Sequence, residues 1–169
     1  MKDHLIDFEN IESKLENAFS SSEYGDLVAK VRKAKRIFLI GNGGLHFVAC
    51  HAATDMTRLI PDKSVYSFDS VGFITSNAND HPYDKLFVRW LETIARPEDA
   101  QESLVVGMSC SGKSKNILDA LCWANDKEMD TFMISGKSTG TLPENIKELA
   151  VNCNYFHTVE VMSLMLFYD

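Results

Sequence analysis

An apolar segment that runs directly into a turn rich in serine and glycine is the part of this sequence with the clearest chemistry. It reads LVVGMSCSGKS and spans Leu104–Ser114. A strand that passes through such a turn into a helix offers backbone N–H groups and the positive end of a helix dipole to a phosphate. The hydroxyls of Ser109, Ser111 and Ser114 add further hydrogen bonds. The segment therefore predicts a phosphate-binding loop.

Two patterns fit this loop. From Gly107 to Ser114 the letters match G-x-x-x-x-G-K-S, the nucleotide-binding P-loop, in which Lys113 would contact the β- and γ-phosphates. From Ser109 they match S-x-S-G-x-S, a sugar-phosphate pocket. A P-loop NTPase also needs a later apolar strand that ends in Asp and holds the metal. The clear downstream strand, Thr131–Ile134, ends in serine and glycine, so the sequence favours the sugar-phosphate pattern and keeps a P-loop kinase as a minor alternative.

A second loop, GNGG at positions 41–44, follows the apolar strand predicted at Arg36–Ile40. Its glycines let a ligand approach the backbone closely, although a tight turn with no ligand would explain the loop alone equally well. The carboxyl ends of parallel strands meet at one edge of a sheet. We therefore expect this loop and the serine-rich loop to face a single ligand.

Two pairs of a histidine and a carboxylate have helical spacing. His51 and Asp55 are spaced i, i+4 on the helix after the glycine loop, and His157 and Glu160 are spaced i, i+3 on the last helix. If the two faces meet, the four side chains are sufficient for proton transfer or for a divalent metal such as zinc. Each pair alone is also consistent with a capping or surface interaction.

The composition fits one domain, since 169 residues are enough to bury a substantial core. A formal net charge of −7 argues against nucleic acid as the main ligand. The four cysteines are scattered and form no C-x-x-C pair, so we expect reduced thiols in a cytoplasmic protein. The charged first ten residues lack the apolar core of a signal peptide, and no apolar run is long enough to span a membrane.

Short apolar runs alternate with helical patterns through most of the chain, which indicates a parallel sheet with helices on both faces. A polar cluster, Asn77–Asp84, predicts a solvated loop in which Asp80 and Asp84 could reach a ligand. The predicted helices are 5–19, 24–34, 45–59, 83–94 and 115–125, and the predicted strands are 36–40, 65–68, 104–108 and 131–134.

The last helical segment, Val159–Tyr168, is apolar on nearly every side, which predicts a helix buried all round. In a domain of this size a second subunit would cover one of its faces, so we expect an oligomer. The pattern continues to Asp169 without a capping signal, as expected of a chain that has been cut short.

Taken together and in this order, the motifs resemble those of the sugar isomerase (SIS) domain family, in its phosphoheptose isomerase branch. The resemblance runs from about Arg36 to the end of the chain. The corresponding family motifs are G-N-G-G-S at 41–45, H-x-x-x-E at 51–55, N-D at 79–80, S-T-S-G-N-S at 109–114 and T-G-K-x-G-G at 135–140.

This resemblance implies an α/β fold, a three-layer, flavodoxin-like sandwich with a five-stranded parallel sheet. It implies a single SIS domain over residues 1–169, in which helices in 1–34 serve oligomerisation and 35–169 form the α/β core. It also implies a homotetramer with active sites between subunits. The implied reaction converts sedoheptulose 7-phosphate into D-glycero-D-manno-heptose 7-phosphate through an enediol, without nucleic-acid or membrane partners.

Carried over residue by residue, the resemblance implies a set of site residues. The substrate-binding residues would be Asn42, Gly43, Gly44, Asp80, Ser109, Cys110, Ser111 and Ser114. The catalytic residues would be Asp55, His157 and Glu160. A zinc ion, as some members bind, would be held by His51, Asp55 and His157.

Three positions depart from the family pattern. Leu45 replaces a sugar-contacting serine, Asp55 is one methylene shorter than the family's glutamate, and Met165 replaces a histidine. Methionine cannot transfer a proton, so His157 and Glu160 would have to take over that chemistry. The alternative is a noncatalytic phosphosugar-binding protein or a protein-interaction scaffold.

Overall fold

Five parallel strands form the central sheet in the computed structural model, which describes residues 10–140 and 142–168. The strand order is β2-β1-β3-β4-β5, which is the flavodoxin-like order and confirms the predicted fold class. The sequence pattern did not identify β5, because this short edge strand (KELA) has two charged residues in four. The strands are β1 (Arg36–Gly41), β2 (Ser64–Ser67), β3 (Ser103–Ser109), β4 (Asp130–Ser135) and β5 (Lys147–Ala150).

Seven α-helices in the described residues surround the sheet, with short 3₁₀ helices at Tyr83–Lys85 and Pro97–Glu102. The first predicted helix is confirmed from residue 11 onward, and its residues 5–9 lie outside the described part of the chain. The α-helices are α1 (Ile11–Phe19), α2 (Ser22–Lys33), α3 (Gly44–Leu59), α4 (Val71–Asp80), α5 (Leu86–Ile94), α6 (Lys115–Asp126) and α7 (Phe156–Met165).

Each face of the sheet has its own apolar core, so the molecule has three layers. On one face Leu39 and Val106 pack with α1, α2, α3 and α7. On the other face Phe38 and Val105 pack with α5 and α6. Because both faces are covered, the central strands are apolar at nearly every position rather than at alternate ones. All seven residues of β3 are buried.

The prediction of a loop at Asn77–Asp84 is wrong for the first half of this segment. Those residues belong to α4, which begins after Ser70, whose hydroxyl accepts a hydrogen bond from the Phe73 N–H at 3.2 Å. Phe73 and Ile74 then pack against the second core. The N-cap and this packing outweigh the turn preference of the polar residues that follow.

The expectation that the last helix is buried all round is wrong within one chain. Val159 and Met162 are buried in α7, whereas Val161 and Met165 on its other side are each 43% exposed. Coverage of that side by another subunit stays a prediction. Within residues 10–140 and 142–168, the structure contains no helix with both the length and the apolar character needed to cross a membrane.

Asn77 is a buried polar residue with an energetic cost. Its side chain is 3% exposed, and neither its Nδ2 nor its Oδ1 has a hydrogen-bond partner among the described residues. A buried amide without partners loses its hydration and gains nothing in return. Its position on α4 therefore reduces the stability of the fold.

We expect Asn77→Leu to stabilise the protein by about 1–2 kcal/mol, since the substitution removes an unsatisfied polar group of similar size. Urea unfolding followed by circular dichroism measures the change. Asn79→Leu is the matched control, because Asn79 is exposed on the same helix and its replacement should stay within about 0.5 kcal/mol. A loss of stability in Asn77→Leu would contradict the expectation.

Candidate active site

The glycine loop (residues 41–44) and the serine loop (Ser109–Ser114) lie side by side at one edge of the sheet. They follow β1 and β3, which are neighbours although β2 lies between them in the chain. In parallel sheets, ligands bind at such a switch in strand order. A cavity of about 200 Å³ opens there, and it confirms that both loops face one space. Its lining residues are Asn42, Leu45, Met108, Ser109, Cys110, Ser111, Ser114 and Phe156.

The serine loop has a closed, preformed shape. The hydroxyls of Ser109 and Ser114 lie 2.9 Å apart, and the Lys113 N–H donates to the Ser111 hydroxyl at 3.2 Å. Gly112 has a φ of +68°, and a β-carbon there would lie 2.5 Å from the Lys137 carbonyl oxygen. Both facts require glycine at this turn. The loop leads into α6, so the positive end of the helix dipole lies beside the cavity.

The carboxylate of Glu160 lies against the glycine loop. A β-carbon on Gly44 would collide with this carboxylate, so the missing side chain at Gly44 makes room for it. Glu160 Oε2 also lies 3.0 Å from His157 Nδ1. The structure therefore places one of the two predicted pairs against the glycine loop, although neither residue lines the cavity, and it assigns Gly44 a role the sequence did not suggest.

The pKa of Cys110, in the serine loop, is affected by the negative charge of Glu160. Burial, followed by the negative charge of Glu160, raises the pKa of the Cys110 thiol to about 11. Its Sγ lies 3.8 Å from the Phe156 carbonyl oxygen at the start of α7. At neutral pH Cys110 is therefore a neutral thiol in the serine loop, near the carboxylate of Glu160.

The other pair, His51 and Asp55, lies elsewhere. Asp55 lies 11 residues after Gly44 on α3, which is about 16 Å along the helix. Its Oδ2 accepts a hydrogen bond from the Tyr168 hydroxyl at 2.5 Å and lies 3.6 Å from His51 Nε2. Burial and this contact raise the pKa of Tyr168 to about 12. The sequence offered no signal for the role of Tyr168.

The two pairs therefore do not converge within one chain. The helix α7 runs alongside α3 in the same direction, so Glu160 meets the start of α3 while Tyr168 meets Asp55 further along. In the described part of the chain, no three His, Cys, Asp or Glu side chains are grouped closely enough to hold a metal ion. The residues predicted for zinc, His51, Asp55 and His157, do not form a site in one subunit.

The loop predicted at Asn77–Asp84 also differs from the expectation that its Asp80 reaches a ligand. Asp80 ends α4, is exposed and accepts a hydrogen bond from Asn79 Nδ2 at 2.7 Å. It is not among the residues that line the cavity. Instead, the Tyr83 hydroxyl lies 3.1 Å from Asn42 Oδ1. Sequence reasoning placed this tyrosine in the polar cluster and at the start of a predicted helix, but gave it no role in the site.

Known proteins resemble this chain in sequence and in fold. No family model matches the chain. Over 119 residues, or 68% of its length, the chain is 34% identical to the phosphoheptose isomerase of Buchnera aphidicola subsp. Schizaphis graminum. Over 127 residues, or 71% of its length, it is 34% identical to that of Geobacter metallireducens. The chain is a relative of the phosphoheptose isomerases.

This relative of the phosphoheptose isomerases spans 59% and 64% of the length of those two proteins. A solved phosphoheptose isomerase structure from Neisseria gonorrhoeae matches it with a TM-score of 0.79 at 19% identity. That match covers 94% of this chain and 88% of the other and shows a shared fold. The relationship favours the sugar-phosphate pattern of the serine loop over the P-loop pattern.

The position of Glu160 can be tested through Cys110. Alkylation by iodoacetamide requires the thiolate, so we expect its rate at Cys110 to reach half its maximum near pH 11. Glu160→Gln removes a nearby negative charge that opposes thiolate formation. We therefore expect the half-maximum at lower pH in that variant, measured by mass spectrometry of the peptide containing Cys110.

The control variant is Glu92→Gln, since Glu92 is exposed on α5 on the opposite face of the sheet. Its pH profile at Cys110 should match that of the unmodified protein. An unchanged profile in Glu160→Gln would mean that Glu160 does not approach the serine loop in solution.

Proposed function

We propose that this protein is an aldose–ketose isomerase that converts sedoheptulose 7-phosphate into D-glycero-D-manno-heptose 7-phosphate. The observation that carries the proposal is the position of the Glu160–His157 pair against Gly44 of the glycine loop, the loop that lines a cavity together with the serine loop. A phosphate-binding loop and a carboxylate with a hydrogen-bonded imidazole are what an enediol reaction needs. The curated relatives that carry the name phosphoheptose isomerase support a phosphorylated heptose as the substrate.

In the proposed reaction the serine loop binds the 7-phosphate, through Ser109, Ser111 and Ser114 and the first N–H groups of α6. The Glu160 carboxylate takes a proton from C1 of the ketose, and the C1–C2 bond becomes an enediol. The proton is then returned to C2, while a proton passes from O1 to O2. His157, which is hydrogen-bonded to Glu160, would orient this carboxylate and exchange the oxygen-bound protons.

We propose that the active sites lie between the subunits of a homotetramer. The exposed apolar residues of α3 and α7 support an interface there, since Phe47 is 73% exposed and Val161 and Met165 are 43% exposed. Asp55 and His51 would reach such a site only across this interface. A zinc ion at His51, Asp55 and His157 would likewise need two subunits, and no step above depends on it.

The proposed organisation is a single SIS domain, with helices in residues 1–34 that serve oligomerisation and an α/β core over 35–169. Leu15 and Leu27 of α1 and α2 are buried in the first core, so these helices also complete the subunit. We place the protein in the cytoplasm. The four free cysteines support a reducing compartment.

A noncatalytic phosphosugar-binding function is the second candidate. The observation that favours it is the separation of Asp55 from the Glu160–His157 pair within one chain. In such a protein the serine loop would bind the phosphate without turnover.

The test of the function is NMR of the purified protein in D₂O with sedoheptulose 7-phosphate, with and without added zinc. An isomerase is expected to place deuterium at C1 of the ketose and C2 of the aldose, and aldose signals should appear. Line broadening of the sugar without deuterium incorporation would overturn the isomerase proposal in favour of the binding function. Inorganic phosphate added as a competitor reports separately on the serine loop.

We expect Gly44→Ala to lower kcat by about 100-fold or more, because the new methyl group displaces the Glu160 carboxylate and removes general acid–base catalysis. Binding of inorganic phosphate, measured by ³¹P NMR, should stay unchanged because the serine loop is not touched. The fold should also persist, since the displaced atoms are the end of a flexible side chain.

Gly72→Ala is the control variant for this prediction. A β-carbon there meets only the Ser70 hydroxyl, at 4.0 Å, so turnover should not change. Full turnover in Gly44→Ala would show that Glu160 does not act from the position seen in the structure.

A further inference from the structure

The side-chain amides of Asn42 and Asn116 form a reciprocal pair across the two loops. Asn42 Nδ2 donates to Asn116 Oδ1 at 2.9 Å, and Asn116 Nδ2 donates to Asn42 Oδ1 at 2.9 Å. Asn116 is the second residue of α6 and is 4% exposed, whereas Asn42 belongs to the glycine loop. The pair therefore joins the element that carries the serine loop to the loop that faces it.

A reciprocal amide pair by itself does not fix its own direction. If both amides rotate by half a turn, each nitrogen again faces an oxygen and the two hydrogen bonds are kept. The Ile117 backbone N–H removes this ambiguity, because it can only donate, and it lies 3.0 Å from Asn116 Oδ1 as well as 3.0 Å from the Ser114 carbonyl oxygen. The atom of Asn116 that faces it must be oxygen, and this sets the direction of Asn42.

With this direction fixed, the hydrogen bonds of Asn42 can be counted. Its Oδ1 accepts from Asn116 Nδ2 and from the Tyr83 hydroxyl, which occupies both acceptor positions of the oxygen. Its Nδ2 uses one N–H for Asn116, and the second N–H has no hydrogen-bond partner among the described residues. Because Asn42 lines the cavity, the only group of its side chain left for a ligand is a donor.

We propose that Asn116 and Tyr83 are positioning residues that hold the Asn42 amide so that it donates an N–H to an oxygen of the bound sugar phosphate. The proposal rests on the isomerase function proposed above. In the ketose the acceptor is the C2 carbonyl oxygen, which gains negative charge as the enediol forms. A preoriented donor stabilises such charge more than the ground state.

Asn116 and Tyr83 have different positioning roles because their surroundings differ. Asn116 is buried and tied to the backbone of α6, so it sets the direction of the amide. Tyr83 is 54% exposed and comes from the 3₁₀ helix Tyr83–Lys85, and its hydroxyl occupies the remaining acceptor position of Asn42. Without Tyr83 the amide would keep its direction but would be held less firmly.

The test is a double-mutant cycle on kcat/KM for sedoheptulose 7-phosphate. We expect Asn42→Ala to lower kcat/KM by about 100-fold, the loss typical of one removed donor to a developing oxyanion. Asn116→Leu should lower it by at least about 10-fold, mainly through kcat. If Asn116 acts through Asn42, the double variant should lose no more than Asn42→Ala alone. Losses that multiply would overturn the proposal.

Tyr83→Phe keeps the proposal testable if Asn116→Leu does not fold. It should lower kcat/KM by about 3- to 10-fold in the unmodified protein, as expected for one lost hydrogen bond. In the Asn42→Ala background it should have no effect. Tyr66→Phe is the matched control, since Tyr66 is 41% exposed on β2 and stacks on Phe38 through its ring, which the substitution keeps. An effect of Tyr83→Phe that is equally large without Asn42 would contradict the positioning role.

A measurement that does not require turnover distinguishes failure of the Asn42–Asn116–Tyr83 network from failure of the proposed isomerase function. In ¹⁵N-labelled protein, the side-chain NH₂ signals of Asn42 are identified by their loss in Asn42→Ala. They should exchange slowly with solvent, and exchange should become faster in Asn116→Leu and Tyr83→Phe. Slow exchange without turnover would leave the amide network in place and overturn the isomerase function. Equal exchange rates of the Asn42 amide protons in the unsubstituted protein, Asn116→Leu and Tyr83→Phe would contradict the proposed hydrogen-bond network.

Discussion

The parallel pairing of β1 with β3 is the constraint on which the candidate site depends. The register places Gly41 beside Met108, so the glycine loop and the serine loop leave the sheet at the same level. A shift by one residue would move every side chain of β3 to the opposite face. It would also move Gly107 from beneath α6, where a β-carbon would lie 2.7 Å from Ile117 Cγ2.

Close packing of α6 on β3 has consequences at the site. It fixes the start of α6, and with it Ser114 and Asn116, relative to the end of β1. The same helix therefore presents its positive end to the cavity and holds the amide of Asn42. A rigid element thus supports both halves of the cavity, although half of the residues that line it belong to loops.

The direction of α7 relative to α3 decides which acidic residue lies at which end of α3. Glu160 reaches the first turn of α3, where the helix dipole stabilises a carboxylate by about 0.3–1 kcal/mol. Asp55 lies near the other end, where Tyr168 and Arg58 contact it. The outer side of the two helices keeps Phe47, Val161 and Met165 exposed. In the proposed assembly this apolar surface is the part of the molecule that needs a second subunit.

The sequence by itself determined the class of fold and the two loops. Apolar strands and helical patterns are local properties, and serine and glycine at Ser109–Ser114 favour a tight strand-to-helix turn wherever the strand is placed. The sequence could not show α4 or β5, since a cap at Ser70 and pairing with β4 decide them rather than composition. Helical spacing placed His51 with Asp55 and His157 with Glu160, and both pairings hold.

Only the tertiary structure decided which residues meet. Spacing along a helix shows which side chains share a face, but the contact between two helices depends on their relative direction and offset. That is why Glu160 faces Gly44 and Cys110 while Asp55 faces Tyr168. It is also why Asn116 and Tyr83, ordinary polar residues in the sequence, become the partners of Asn42: their roles come from distances between elements far apart in the chain.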